Sequence, residues 1–166
     1  MEPAVTRVLV TGASGYIACH VIDQLLRSPK GYLVRGTVRD LKNEKKVKPI
    51  KDLAGEDIKR LELVEADLLK EEGWDAAVKG CRYVLHVASP FPNSQPKDEN
   101  EVIKPAVAGT HNVITACVRN NVEHVVVTSS TAAILSGNEK NMFTDKDWSD
   151  VKSPNCTPYD KSKTLA

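Results

Sequence analysis

Thr11-Gly12-Ala13-Ser14-Gly15-Tyr16-Ile17-Ala18 follows directly on an apolar run over residues 5–10 and opens a helical pattern. A strand, a glycine turn and a helix start, in that order, make a site for a pyrophosphate. Gly12 permits the tight turn, Gly15 lets the backbone approach the phosphates, and Ala18 lets the helix lie close to the sheet. The amides that open the helix point at the anion. Outward from this stretch, apolar runs alternate with helical patterns. Strands are expected over 5–10, 33–38, 61–65, 83–87 and 124–128, and helices over 15–27, 43–53, 74–79 and 102–120. The alternation predicts an α/β fold with a doubly wound parallel sheet. Pro105 falls in the opening turns of the fourth helix, and Asn120-Asn121 stops it. The longest irregular stretches, 89–100 and 132–158, follow strand ends, where open α/β sheets build their ligand sites.

The chain has 166 residues, enough for one domain with a core of its own. Its composition, 41% hydrophobic and 27% charged, is that of a globular protein in water. A net charge of +1 gives no electrostatic reason to expect nucleic acid or an anionic membrane as a partner. No apolar run approaches the roughly 20 residues of a membrane helix. Met1-Glu2-Pro3-Ala4 lacks the basic and apolar regions of a signal peptide, so a cytoplasmic location is expected. Cys19, Cys81, Cys117 and Cys156 are widely spaced, and no ligand-like spacing joins them to His20, His86, His111 or His124. No metal site is therefore expected. Cys19 and Cys117 read as small buried hydrophobes. His86, inside an apolar strand, reads as a core histidine. Asn155-Cys156-Thr157 matches a glycosylation sequon and is read as chance.

Tyr159-Asp160-Lys161-Ser162-Lys163 carries a second signal. On a helix, residues four apart share a face, so Tyr159 and Lys163 project together. Hydride delivery to a carbonyl leaves charge on oxygen, which must be stabilised and protonated. A tyrosine, with an ordinary pKa near 10, is a poor proton relay at neutral pH unless a neighbouring cation lowers that value. Behind a glycine cradle and a strand ending in Thr128-Ser129-Ser130, the pair points to a nicotinamide oxidoreductase. At the adenosine end, Arg39 comes first off the second strand, where a guanidinium suits a 2′-phosphate; Asp40 is the competing reading and would favour NAD. The basic run Lys42, Lys45, Lys46, Lys48 and Lys51 is mostly a solvated helix face.

Gly12-x-x-Gly15-x-x-Ala18, Ser129-Ser130 and Tyr159-x-x-x-Lys163 resemble the extended short-chain dehydrogenase/reductase superfamily. Val34-Arg35-Gly36-Thr37-Val38-Arg39-Asp40, Leu85-His86-Val87-Ala88-Ser89-Pro90 and Glu101-Val102-Ile103-Lys104-Pro105 narrow this to its dihydroflavonol 4-reductase / cinnamoyl-CoA reductase group, over the N-terminal half only. The resemblance implies one incomplete Rossmann-type NAD(P)-binding domain over 1–166, ending before the C-terminal strands and the substrate domain. It implies NADPH, with NAD less favoured, and reduction of a ketone or aldehyde. Ser14, Tyr16 and Ile17 join Gly12 and Gly15 around the pyrophosphate. Arg39 and Lys46 select NADP. Asp67 and Leu68 meet adenine, the competing reading of Asp67 being a strand-end turn cap. Val87, Ala88 and Ser89 run along the nicotinamide half, with Thr128 near the cofactor. Ser130 orients the carbonyl, Tyr159 donates the proton, and Lys163 lowers the tyrosine pKa and holds the nicotinamide ribose. Lys104 matches a family lysine or is simply solvated. Full-length relatives dimerise through helices only partly present here. With the catalytic helix cut after Lys163, weak or no turnover is expected. A sugar-nucleotide epimerase, a hydroxysteroid dehydrogenase and a non-catalytic nucleotide-binding fragment stand as alternatives.

Overall fold

The computed structural model describes residues 5–91 and 96–166. These divide into two compact units: one runs up to Ala88 and takes in Asn112–Thr128, and the other comprises Ser89–His111 and Ser129–Ala166.

The first unit is built on five strands, β1 (Arg7–Val10), β2 (Leu33–Val38), β3 (Leu61–Glu65), β4 (Tyr83–His86) and β5 (His124–Val127). They form one sheet in the order β3-β2-β1-β4-β5, every pair parallel. This is the doubly wound sheet expected from the alternating pattern. Its connections are α1 (Tyr16–Arg27), α2 (Glu44–Ala54) with a 3-10 turn (Gly55–Arg60), α3 (Trp74–Val78) and α4 (Asn100–Arg119).

Successive side chains of a strand point to opposite faces. Val10 accordingly packs with Ile22 and Leu26 of α1 and Val47 and Ile50 of α2. Its neighbour Leu9 packs with Trp74 and Val78 of α3 and Val113 and Ala116 of α4. Both faces are covered at β1 and β2, where Val8, Leu9, Val10, Val34 and Val38 are all buried. Each fully buried aliphatic side chain contributes about 1.5–3 kcal/mol. Gly36 of β2 belongs to the same packing. A Cβ there would lie 2.7 Å from the Ala13 Cβ, so only glycine lets the loop after β1 settle on β2.

Thr11, Arg35, Thr37 and His86 are polar residues buried within this apolar framework. Arg35 of β2 is buried, donates from Nε to Glu62 at 2.8 Å, and donates from Nη1 to the carbonyls of Ala77 at 2.7 Å and Lys79 at 2.9 Å. A cation thus meets the unpaired carbonyls and negative end of α3.

Several boundaries differ from the sequence expectation. β1 begins at Arg7, not residue 5, and α1 begins at Tyr16, because Gly15 has extended backbone (φ −83, ψ 156) and is the N-cap. Asn43 is likewise the N-cap of α2. Asn121, with φ 54, takes the left-handed conformation that ends the segment after α4.

In the second unit, the stretch expected to be irregular over 132–158 contains a short helix, α5 (Ala132–Leu135), and ends in α6 (Pro158–Leu165). Ser149 holds α5 from the far side of the loop: its N–H donates to Ala133 O at 2.9 Å and its hydroxyl to Ala132 O at 2.7 Å. α6 starts with a capping box, in which Thr157 Oγ1 accepts from the Asp160 amide at 3.2 Å and the Asp160 carboxylate accepts from the Thr157 amide at 2.9 Å. Pro158 occupies the first turn, where its missing N–H costs nothing. Among the described residues no helix is long and apolar enough to cross a membrane.

Candidate functional site

The loop between β1 and α1 is held by two threonines. Thr37 Oγ1 accepts from the Gly12 amide at 3.0 Å, and its carbonyl accepts from Ala13 at 2.8 Å. Thr11 Oγ1 accepts from the amides of Val87 at 3.0 Å and Ala88 at 2.9 Å. Its own proton then goes to His86 Nδ1, 2.9 Å away, which fixes that ring nitrogen as an acceptor. His86 is thus a satisfied core histidine, as its apolar strand suggested. Gly15 N–H donates to Gly12 O at 2.8 Å. The amides of Gly12, Ala13 and Gly15 are all engaged inside the loop.

What remains for a ligand is the start of α1. The first backbone bond there runs from Cys19 to Gly15 O at 2.9 Å, so the amides of Tyr16, Ile17 and Ala18 precede the ladder and form the positive end of the helix. The two glycines serve different ends. Gly12 has φ +68, and a Cβ on it would lie 3.0 Å from the Ala88 Cβ; it is required by the loop itself. Gly15 has ordinary backbone, and its Cβ would meet only Gly12 O at 3.2 Å within 4 Å. Glycine at 15 leaves the space ahead of the α1 amides free of a side chain of its own. Ser14, Tyr16 and Ile17 are exposed around it, Tyr16 with its ring 4.7 Å from that of His20. The cradle therefore fits a pyrophosphate. Cys19, expected to be buried, is half-buried and directs its thiol to Ala13 O at 3.2 Å.

Arg39 and Asp40 are both exposed just past β2, but they are not equivalent. The Asp40 carboxylate accepts from the Lys42 amide at 2.8 Å and so shapes the turn into α2. Lys46 is exposed in the first part of α2. Asp67 likewise caps its own turn, accepting from the Leu69 amide at 3.0 Å. The Leu68 carbonyl accepts from the Asn112 side chain at 3.0 Å. Glu65, which the sequence did not single out, closes β3 and accepts from the Leu41 amide at 2.8 Å. At the end of β5, the Thr128 amide donates to His86 O at 2.9 Å.

The remaining candidates lie in the second unit. Ser89 follows Ala88 and is half-buried. Ser130 Oγ accepts from the Ala132 amide at 3.1 Å, which starts α5 and leaves the hydroxyl proton as a donor. α5 packs against α6, which carries Tyr159 and Lys163. The two share a face as expected, with Lys163 Nζ 5.9 Å from the Tyr159 ring centroid. Burial pushes the Lys163 ammonium below its ordinary value. Lys161, on another side of the helix, pairs with Glu99 at 2.6 Å. Phe91 sets its ring against Tyr159 at 5.4 Å, with the planes at 85°. No motif marked Phe91 in advance, and the motifs that contain Thr11, Arg35 and Thr37 gave these three no role of their own.

Among the described residues no group of three or more His, Cys, Asp or Glu is placed to hold a metal. The thiols are far from reactive: burial pushes Cys117 up to about 11, and Cys19, Cys81 and Cys156 also shift upward through burial.

The model of the 3-beta hydroxysteroid dehydrogenase/isomerase family matches residues 9–166. A putative anthocyanidin reductase of Ginkgo biloba is 43% identical across 97% of this chain and 49% of its own length. Dihydroflavonol 4-reductase of Arabidopsis thaliana is 42% identical across 96% of this chain and 43% of its own. The crystal structure of Gre2 from Candida albicans in complex with NADPH superposes with a TM-score of 0.81 at 32% identity, over 97% of this chain and 50% of that one. The chain spans about half the length of the curated relatives it matches.

Proposed function

Since the chain belongs to the 3-beta hydroxysteroid dehydrogenase/isomerase family, we propose that it is the nucleotide-binding part of an NADPH-dependent reductase of ketone or aldehyde carbonyls. The observation that carries this reading is the cradle. Its inner amides are engaged by the loop, while the opening amides of α1 stand ahead of the helix ladder beside a side-chain-free Gly15. Those amides hold the pyrophosphate, with Ser14, Tyr16 and Ile17 around it. Arg39 pairs with the 2′-phosphate, assisted by Lys46, while Asp40 is committed to its turn. Asp67 and Leu68 contact adenine, and Val87, Ala88, Ser89 and Thr128 flank the nicotinamide half.

When bound, NADPH supplies a hydride to the carbonyl carbon. Ser130 donates its remaining proton to the carbonyl oxygen and orients it. Tyr159 transfers its phenolic proton to that oxygen as charge develops there. Lys163, on the same helix face, stabilises the tyrosinate left behind and holds the ribose. The names of the relatives favour a reductase over an epimerase.

Tyr159→Phe tests the assignment in a chain carried on to the length of its relatives. Carbonyl reduction is expected to fall by about 10²–10⁴-fold while NADPH affinity is retained, because only a transition-state contact is removed. Unchanged turnover would remove Tyr159 as the proton donor.

A further inference from the structure

Tyr159 is the second residue of α6. A helical side chain leans back toward the N-terminus, onto the preceding turn. At this position there is no preceding turn of helix, so the tyrosine ring has its helical neighbour, Lys163, only on the C-terminal side. Something outside the helix must fix the other side. From outside the helix Phe91 meets the Tyr159 ring, with centroids 5.4 Å apart and planes at 85°, the edge-to-face arrangement aromatic pairs prefer.

Burial does not account for Phe91. It is 74% exposed, so it gains little by leaving water. Pro90, directly before it, has its own φ fixed by the ring.

We infer that Phe91 is a positioning residue for the proton donor, holding the Tyr159 ring in the orientation that places Lys163 over it; this rests on the role proposed for Tyr159 above. An edge-to-face contact biases such an orientation by about 2- to 12-fold. In this scheme the phenylalanine is not among the groups that meet the reacting atoms. It acts through the tyrosine.

The test is NMR of the 166-residue chain with labelled tyrosine and lysine side chains and no cofactor, so it does not depend on whether NADPH binds or turns over. Signals of Tyr159 and Lys163 are assigned by their loss in Tyr159→Phe and Lys163→Met. In Phe91→Ala, Tyr159 is expected to lose its ring-current displacement, and the Lys163 methylene signals are expected to move toward free-lysine positions. Phe91→Leu, which keeps an apolar side chain of similar bulk, is expected to do the same, and Phe91→Tyr to restore both. Tyr159 signals that change while Lys163 stays put would show that Phe91 merely packs, and would overturn the inference. Restoration by leucine, or no change in either residue, would also overturn it. Should Phe91→Ala unfold the chain, the leucine and tyrosine variants decide alone.

Discussion

The cradle of the first unit and the Tyr159 helix of the second are stabilised by different means. The cradle is held by backbone. Gly12 adopts a left-handed φ, Gly36 admits Ala13 where no side chain fits, and the threonines at 11 and 37 bind backbone amides, Thr11 meeting the His86 ring as well. β1, which leads into it, is buried on both faces. α6 is held by side chains: the Thr157–Asp160 capping box, the Lys161–Glu99 ion pair and the Phe91 ring. A phosphate needs a fixed ring of amides, which rigid backbone provides. A proton donor needs only its ring aimed, which a few side chains do.

The sharpest way to break this contrast lies in the two cradle glycines. Gly12→Val forces a branched residue into φ +68 and against Ala88, and is expected to cost about 2–5 kcal/mol of stability in urea unfolding. Gly15→Val meets ordinary backbone and, within 4 Å of its Cβ, only Gly12 O at 3.2 Å, which a small shift relieves. It is expected to leave the circular dichroism spectrum intact yet abolish binding of NADPH and NADH alike. Normal binding by the second variant would mean that Gly15 serves only the turn.

A smaller effect is expected from the helix cap. Thr157→Ala removes one half of the capping box and should cost about 1 kcal/mol locally. Hydrogen exchange of α6 amides should then quicken roughly fivefold, with β1 and β4 amides unchanged. Acceleration across the sheet as well would show that the two regions are not independently held.

The smallest effect concerns the surface ion pair. The hydrogen bond from Lys161 to Glu99 holds the ammonium above its ordinary value. A raised folded value means that the stabilisation is present below the ordinary lysine range and is lost as pH rises through the higher folded value. Lys161→Met should therefore matter slightly at neutral pH and not at all in strong alkali, read from α6 stability against pH. A loss that grows with pH would reverse the assignment.

Much of this was legible in the sequence, for a physical reason. β2 and β3 fall on the expected residues because short runs rich in Leu and Val between turn signals mark strands. Tyr159 and Lys163 share a face because helical spacing alone dictates it. The features that stayed hidden depend on remote partners. Thr11 meets His86 and the amides of Val87 and Ala88 across 75 to 77 positions, and Arg35 reaches Ala77 across 42. No local period encodes such a contact, so the stretches that contain these residues gave them no role of their own. Residues 132–135 were missed as helix because α5 is a single turn, fixed from outside by Ser149. The capping box before Tyr159, by contrast, was written locally in Thr157-Pro158-Tyr159-Asp160.

The central claim is that the first unit selects NADPH through Arg39, with Asp40 withdrawn into its turn. Fluorescence titration of the 166-residue chain and its Arg39→Ala variant with NADPH and NADH tests it most directly. Loss of a charge-assisted phosphate contact of about 1.5–3 kcal/mol predicts NADPH binding weakened at least tenfold, with NADH nearly unchanged. Equal losses for both cofactors would contradict the account.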